Sequence, residues 1–371
     1  MLPLLIFLPL YKNKYKYSLP ARFFLKNNLS FNAKVWIHAC SLGEINSIAF
    51  LIENISEKII LTTITQTGYN RAKELFKDEL NLEIRFLPFE IFLPFLMPRK
   101  LKKLIVVEAE LWPMLFFSAK RVGAKTMLIN SRISNNSYPK YKKALIFYKN
   151  IFKNIDKVLC QRNEDKSKLE SLGAKNVEVF GNIKIFNKPK ITNEFKKFSG
   201  TLIVAASTHE GEEGIIIDGC KNILKNEEYR LIIAPRHPER FSEVWIHMQN
   251  YGFECGRFSL HGLNYKYKII LMDKMGELIN LYNIADVVLL GGSFVNNIGG
   301  HNPIECAALN KKIITGPYIY NQYALFESIY GYKIIEASKI KENMENIKDL
   351  QNTYIKNLDY KIETLLKHIR A

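Results

Sequence analysis

At 371 residues the chain is long enough for about two domains. Its 47% hydrophobic and 24% charged residues fit a folded globular protein and exclude collagen-like and disordered classes. Lys+Arg total 53 against 36 Asp+Glu, so the net charge of +17 calls for an acidic partner: nucleic acid, an anionic membrane or a phosphorylated substrate. Part of that excess is the Lys-rich, Asn-rich and Ile-rich bias that an AT-rich genome imposes.

The basic charge is uneven. No acidic residue precedes Glu44, whereas Lys12, Lys14, Lys16, Arg22, Lys26 and Lys34 do. The apolar run Leu2–Leu10 is far shorter than the roughly 20 residues that span a bilayer. Its order, apolar first and basic after, fits a short insertion held at a cytoplasmic face, or the remnant of a longer anchor cut by a misassigned start. Residues 1–30 are therefore expected to associate with a membrane. A second basic cluster, Lys140, Lys142, Lys143, Lys149 and Lys153, interleaves with Tyr138, Tyr141, Phe147 and Tyr148. It suits a headgroup-level surface, single-stranded nucleic acid, or a solvated helix face with its aromatics inward. The apolar stretch from Phe86 to Met97 is either lipid-facing or core. Five cysteines without CxxC spacing read as reduced, unpaired thiols with no zinc site.

Strand and helix signals then alternate. Val35–Ala39, Ile59–Ile64, Leu104–Val107, Thr126–Ile129 and Val158–Cys160 read as strands. Ile45–Ile55, Asn70–Leu80 and Leu111–Val122 read as helices. The Lys-, Asn- and Pro-rich stretch 186–200 reads as a linker. Strands resume at Leu202–Ala205, Tyr229–Ala234, Lys268–Met272, Val287–Leu290 and Lys312–Ile314. Repeated βα units of this kind predict an α/β protein with two Rossmann-like parallel sheets facing a central cleft. The expected division is 31–185 and 201–350, with 351–371 as a helical tail.

Ligands of such sheets sit beyond the carboxyl ends of the strands, so the loops there are the place to look for chemistry. His38–Glu44 puts a carboxylate at a helix start, either a dipole-favoured first-turn acid or a general base. Thr63–Gly68 reads as a helix cap. Glu108-Ala109-Glu110 places two carboxylates on one strand face, with Arg132 a candidate partner. A metal pair there lacks evident His ligands. Lys184 closes the first half. Ser207 and Glu210 have capping-box spacing. Arg236 is a natural bidentate phosphate ligand. The pairs Gly291-Gly292 and Gly299-Gly300 would bare backbone N–H groups to an anion, and Glu305 would accept from ribose hydroxyls. Without a P-loop, a dinucleotide fingerprint or a D-x-D motif, these parts describe a metal-free, two-domain sugar-nucleotide enzyme.

Eight segments in order (His38–Glu44, Thr63–Gly68, Glu108–Pro113, Gly181–Lys184, Ser207–Glu213, Pro235–Arg240, Met275–Leu278 and Gly299–Glu305) resemble the 3-deoxy-D-manno-octulosonic acid (Kdo) transferases of lipopolysaccharide synthesis. The resemblance runs from about Trp36 to Tyr320. It implies the GT-B architecture, with an acceptor-binding first half and a CMP-Kdo-binding second half. It implies an inverting transfer of Kdo from CMP-Kdo to the lipid A precursor, a tetraacyldisaccharide bisphosphate, at the cytoplasmic face of the inner membrane. Glu44 matches the general base, and Glu108 and Lys184 match transition-state stabilisers. Pro235, Arg236, Met275, Gly276, Glu277, Asn302, Pro303, Ile304 and Glu305 match the CMP-binding segments. No cofactor or metal is implied beyond the donor, and no nucleic acid. Met114, Cys306 and Phe186 depart from the family pattern and bear on acceptor fit. The competing readings are a sugar-nucleotide epimerase on the same fold and a basic nucleic-acid-binding protein.

Overall fold

A computed structural model describes residues 17–29 and 31–370. The apolar run and Lys12, Lys14 and Lys16 lie outside these residues. The chain forms two units. One holds the described residues up to Asn187 together with those from Asp359 onward, and the other spans Lys188–Leu358. No helix among the described residues is long and apolar enough to cross a membrane.

The first unit is built on β1 (Val35–His38), β2 (Ile59–Thr63), β3 (Leu82–Phe86), β4 (Lys103–Val107), β5 (Lys125–Ser131), β6 (Lys157–Cys160) and β7 (Val177–Val179). They form one parallel sheet in the order β3-β2-β1-β4-β5-β6-β7. Its central strands are buried along their whole length, as a sheet covered on both faces requires. The second unit repeats the plan with β8 (Thr201–Thr208), β9 (Tyr229–Pro235), β10 (Cys255–Arg257), β11 (Ile269–Leu271), β12 (Val287–Leu290) and β13 (Lys312–Thr315). The short strands β14 (Ile329–Tyr330), β15 (Lys333–Ile334) and β16 (Tyr354–Ile355) follow. The second parallel sheet runs β10-β11-β9-β8-β12-β13-β15, and β14 pairs with β16. In each sheet the winding reverses once, between β1 and β4 and between β8 and β12. Open α/β sheets bind ligands beyond the strand ends at such a reversal.

The expected α/β class with two parallel sheets is what forms. Several local expectations change. β3 was hidden because Glu83 and Arg85 interrupt its apolar pattern; both lie at the sheet edge, where Glu83 pairs with Lys58 at 2.7 Å. The stretch from Phe86 to Met97 is both core and surface: Leu87, Leu93 and Met97 are buried, while Phe95 is 86% exposed. Residues 186–200 are not a free linker. Phe186 is buried against Phe50 and Phe180 in the first unit, and Asn193 is tied to Glu277 and Asn280 in the second. The C-terminal tail is not separate either. Its helix, Leu358–Arg370, buries Leu365 and Ile369 in the first unit.

Lys103 anchors that helix. Its ammonium group, on a side chain buried in β4, donates to the carbonyls of His368 (2.9 Å) and Ile369 (2.5 Å). A cation at a helix C-terminus satisfies carbonyls that have no partner within the helix. Lys103→Met keeps most of the stem and removes the charge. Faster amide exchange confined to 358–370, and a loss of about 1–3 kcal/mol in stability, is the expected result.

Candidate active site

The loop after β1 carries Glu44. Ser41 caps the helix Leu42–Ser47 by accepting from the Glu44 N–H at 3.2 Å. The Glu44 side chain turns back, accepting from the Ser41 hydroxyl (2.7 Å) and the Cys40 N–H (2.8 Å). This is a close variant of the capping box. The loop is clamped from below. Thr63 and Thr65 both donate to the Cys40 carbonyl, at 2.9 and 2.8 Å, and Thr65 caps the helix Gln66–Leu75 as expected. Gly68 fits beneath it because a Cβ there would lie 2.7 Å from Thr63 Oγ1 and 3.0 Å from the Cys40 carbonyl oxygen.

Glu44 is only 6% exposed, and burial raises its carboxyl from the usual range to about 7. The hydrogen bonds from Cys40 and Ser41 oppose that rise, while Glu108 and Glu110 add to it. Of the two pulls a first-turn glutamate feels, the cap and dipole lose to burial and like charge. The result is a carboxyl group that changes charge near neutrality.

Glu108 and Glu110 do not share a strand face. β4 ends at Val107, and Glu108 takes a left-handed backbone, φ +60°. That conformation costs a bulky residue of order 1–3 kcal/mol and concentrates at functional sites. It breaks the pleat, so strand periodicity no longer applies. Glu110 then accepts from Trp112 Nε1 at 2.9 Å. The expected partner Arg132 is exposed and acts on Asp165 instead. The cation near these carboxylates is Arg22, from the N-terminal helix Ser18–Phe23. Burial lowers its pKa, and Cys40, Glu90 and Glu110 support its charge. It donates to the Leu87 carbonyl at 2.9 Å and lies over the Trp112 ring at 5.7 Å. Sequence alone grouped Arg22 with surface basic residues; no local pattern distinguishes it.

Lys184 lies in a 3₁₀ turn, Ile183–Phe186, that packs against the Glu44 helix. Asn130, itself left-handed at φ +55°, accepts from the Ile183 N–H, and Asn182 caps the turn at Lys184 N. The half-buried Lys184 ammonium pairs with no described residue. The divergent residues are structural. The Met114 N–H binds Glu90 at 2.7 Å, Phe186 is core, and Cys306 is fully buried in the second unit with a hydrogen bond to Tyr282.

In the second unit the Gly291–Ser293 half of the expected anion cradle is already filled. Glu212, fully buried, accepts from four backbone N–H groups: His209 (2.9 Å), Gly292 (2.7 Å), Ser293 (2.9 Å) and Phe294 (2.9 Å). Gly291 must be glycine here, since a Cβ would lie 2.7 Å from the Ser207 carbonyl oxygen and 2.9 Å from Glu212 Oε2. The Gly300 N–H goes to the Gly292 carbonyl, and Asn302 takes the Ile304 N–H. Ser207 is no N-cap: it belongs to β8 with φ +55°, and Gly211 caps the helix Glu212–Leu224.

The side chains left for a ligand are few. Arg240 is held by the buried Glu213 through two contacts of 2.8 and 3.1 Å, and Thr208 donates to the same carboxylate. Arg236 is exposed, and no described residue pairs with its guanidinium. Glu305 is largely buried, its carboxyl raised by that burial, and makes no hydrogen bond or ion pair with a described residue. Pro235 ends β9, and Pro303 and Ile304 start the helix Ile304–Ala308. Met275 is exposed beside Gly276, but the Glu277 carboxylate is taken by Asn193, Asn280 and Lys274. Three histidines not singled out from sequence gather here. His209 and His301 face each other Nε2 to Nε2 at 2.9 Å, and His237 lies edge-on to His209. Burial, the neighbouring His209 and Arg236 push His301 down to about 4, so it is neutral at neutral pH.

Two parallel Rossmann-like sheets, each with polar loops at its point of reversal, define the GT-B class of α/β protein. The UDP-GlcNAc 2-epimerase of Neisseria meningitidis, solved with UDP-GlcNAc bound, shares this fold (TM-score 0.58, 14% identity, 89% of this chain and 93% of that one). A family model described as 3-deoxy-D-manno-octulosonic-acid transferase (kdotransferase) matches residues 17–187. The 3-deoxy-D-manno-octulosonic acid transferase of Aquifex aeolicus is 31% identical over 94% of both chains. A bifunctional glycosyltransferase/methyltransferase of Fusobacterium nucleatum is 34% identical over 91% of this chain, which spans 55% of that protein's length. The chain belongs to the Kdo transferase family.

Glu212→Gln tests the second unit's core. An amide cannot accept from all four N–H groups, so a loss of at least about 3 kcal/mol is expected. Urea unfolding followed through Trp245, the tryptophan of that unit, measures it.

Proposed function

We propose that the protein is an inverting glycosyltransferase that moves Kdo from CMP-Kdo to the lipid A precursor, a tetraacyldisaccharide bisphosphate, at the cytoplasmic face of the inner membrane. The observation that carries the reading is Glu44: a buried, preorganised carboxylate with its pKa raised to about 7, in a chain of the Kdo transferase family.

In this mechanism Glu44 takes the proton from the acceptor hydroxyl. The hydroxyl oxygen forms a bond to the anomeric carbon as the bond from that carbon to the CMP phosphate oxygen breaks. The electron pair leaves with CMP, and one displacement inverts the centre. Arg236 receives the departing phosphate charge, as a guanidinium suits a phosphate. Glu305 accepts from ribose hydroxyls, and Pro235, Met275, Gly276, Asn302, Pro303 and Ile304 shape the nucleotide site through backbone and contact surface. Glu277 contributes by fixing that loop. Glu108 and Lys184 stabilise the transition state. No cofactor takes part in this scheme, and CMP-Kdo is the donor substrate.

The membrane assignment draws on a basic, partly apolar surface. Lys140, Lys142, Lys143, Lys149 and Lys153 are all exposed, as are Ile146 (80%) and Phe147 (52%) between them. Tyr141 and Tyr148 stack beneath at 4.6 Å. Lysines beside exposed apolar side chains suit an anionic headgroup layer.

Mass spectrometry of the lipid formed from CMP-Kdo and the bisphosphate acceptor tests the reading. A product heavier by Kdo, with CMP released, is expected. Turnover of a UDP-sugar without an acceptor would favour an epimerase instead. Glu44 acts unprotonated, so kcat should fall as pH drops through about 7 and level off above it. Glu44→Gln should lower kcat by about 10²–10⁴-fold and abolish that limb of the profile. Normal turnover by the folded variant would refute the base assignment.

A further inference from the structure

The transfer proposed above leaves two ionisable side chains beside Glu44 without a task. His38 ends β1 and is fully buried. Its Nε2 lies 3.2 Å from Cys40 Sγ, and the nearby Glu110 carboxylate acts on the Cys40 thiol. One donor atom from each of His38, Cys40 and Glu110 falls within 4.8 Å of the others. From sequence, a metal at the Glu108–Glu110 pair lacked nearby ligands. The parallel pairing of β1 with β4 supplies them.

The side chains around the site already hold His38 and Glu110 in place. Thr62 Oγ1, which accepts from Trp36 Nε1 at 2.8 Å, holds His38 Nδ1 at 2.9 Å. Metal-binding imidazoles are oriented in this way, with one nitrogen on a fixed partner and the other toward the ion. Trp112 Nε1 holds one Glu110 oxygen. Thiolate, imidazole and carboxylate together are a donor set for zinc-like ions. Zinc bond lengths of about 2.0 Å to nitrogen and 2.3 Å to sulfur span the 3.2 Å N···S separation at an angle of about 95°. Glu110, on a half-exposed turn, needs only to swing inward. The local charge agrees: Glu108 and Glu110 both act on Glu44, and Arg22 is a cation acting on Glu110.

We propose that His38, Cys40 and Glu110 form a binding site for one divalent cation of the zinc class, with a fourth position open to water. On loading, the Cys40 S–H bond breaks, the proton passes to solvent, and a sulfur–metal bond forms without any redox change. His38 binds as the neutral imidazole with its proton on Nδ1. Cys40 also supplies the N–H that holds Glu44. The ion therefore clamps the Glu44 loop to the Glu108–Trp112 turn and takes no part in the displacement.

The test uses the full chain without an affinity tag, stripped by chelator, then titrated with Co²⁺ and Zn²⁺. One equivalent of Co²⁺ should bind with a thiolate-to-cobalt charge-transfer band, and Zn²⁺ should displace it. Cys40→Ala should remove the band and weaken Zn²⁺ binding at least ~10-fold, in the range that follows the loss of even an indirect partner. Cys40→Ser serves where the alanine variant misfolds. Glu110→Gln should weaken binding but keep the band. Equal metal uptake by wild type and Cys40→Ala, or bound cobalt with no thiolate band, overturns the proposal. The readout is metal occupancy, so its failure leaves the Kdo transfer reading standing, and failure of transfer leaves this one standing.

Discussion

In both units, the helix after the strand at the reversal places a glutamate back over its own loop. Glu212 does so in the second unit and Glu44 in the first. Glu212 is saturated, with four backbone N–H groups on a carboxylate that has no contact with solvent. It stands where an anion would otherwise sit and fixes the loops after β8 and β12 as one body. Glu44 receives one N–H and one hydroxyl, against two neighbouring carboxylates. The same placement yields a saturated structural pin in one unit and, in the other, a carboxylate with hydrogen-bonding capacity to spare. What separates them is how far the carboxylate's hydrogen-bonding capacity is filled.

That difference depends on backbone the sheet alone would not provide. Glu108 and Asn130 leave β4 and β5 in the left-handed region, as Ser207 does in β8. Asn adopts this conformation readily; Glu and Ser pay for it. In the first unit the strained turn brings Glu108 and Glu110 toward Glu44. Asn130 positions the Lys184 turn. Rigid packing of the fully buried strands beneath makes the strain sustainable, because neither sheet can relax without opening its core.

The fold was legible because the apolar runs match buried parallel strands nearly residue for residue: Val287–Leu290 agrees exactly, and Tyr229–Pro235 to within one residue. Edge strands β3, β7 and β10 escaped, since their exposed faces carry polar residues and their burial comes only from one side. Glu44, Glu108, Lys184 and Arg236 stood out in the sequence as candidates because each follows a strand. Their surroundings were not. That Glu212 fills the Gly291–Ser293 loop, that Arg240 is spent on Glu213, and that Arg22 reaches Glu110 are all contacts between residues distant in sequence. No spacing rule encodes them. The Gly291-Gly292 pair misled for the same reason: an exposed N–H row looks identical whether a phosphate or a buried side chain will occupy it.

The net charge of +17 acquires a division of labour from these placements. The acid-free stretch before Glu44 is not uniformly surface charge, because Arg22 is drawn inward to offset Glu90 and Glu110. The site itself is acidic, so a polyanion such as a nucleic-acid strand would meet Glu44, Glu108 and Glu110 rather than a basic groove. Five exposed lysines gather around Ile146 and Phe147, and Tyr141 among them is close enough to Glu110 to feel its charge. The basic cluster and the acidic site therefore belong to the same unit and are near neighbours rather than sorted onto separate faces. Salt screens exposed lysines within roughly 10 Å, whereas the charges around a buried carboxylate are screened much less. Burial and the neighbouring carboxylates therefore set the Glu44 pKa, and no lysine acts on it strongly enough to reverse them.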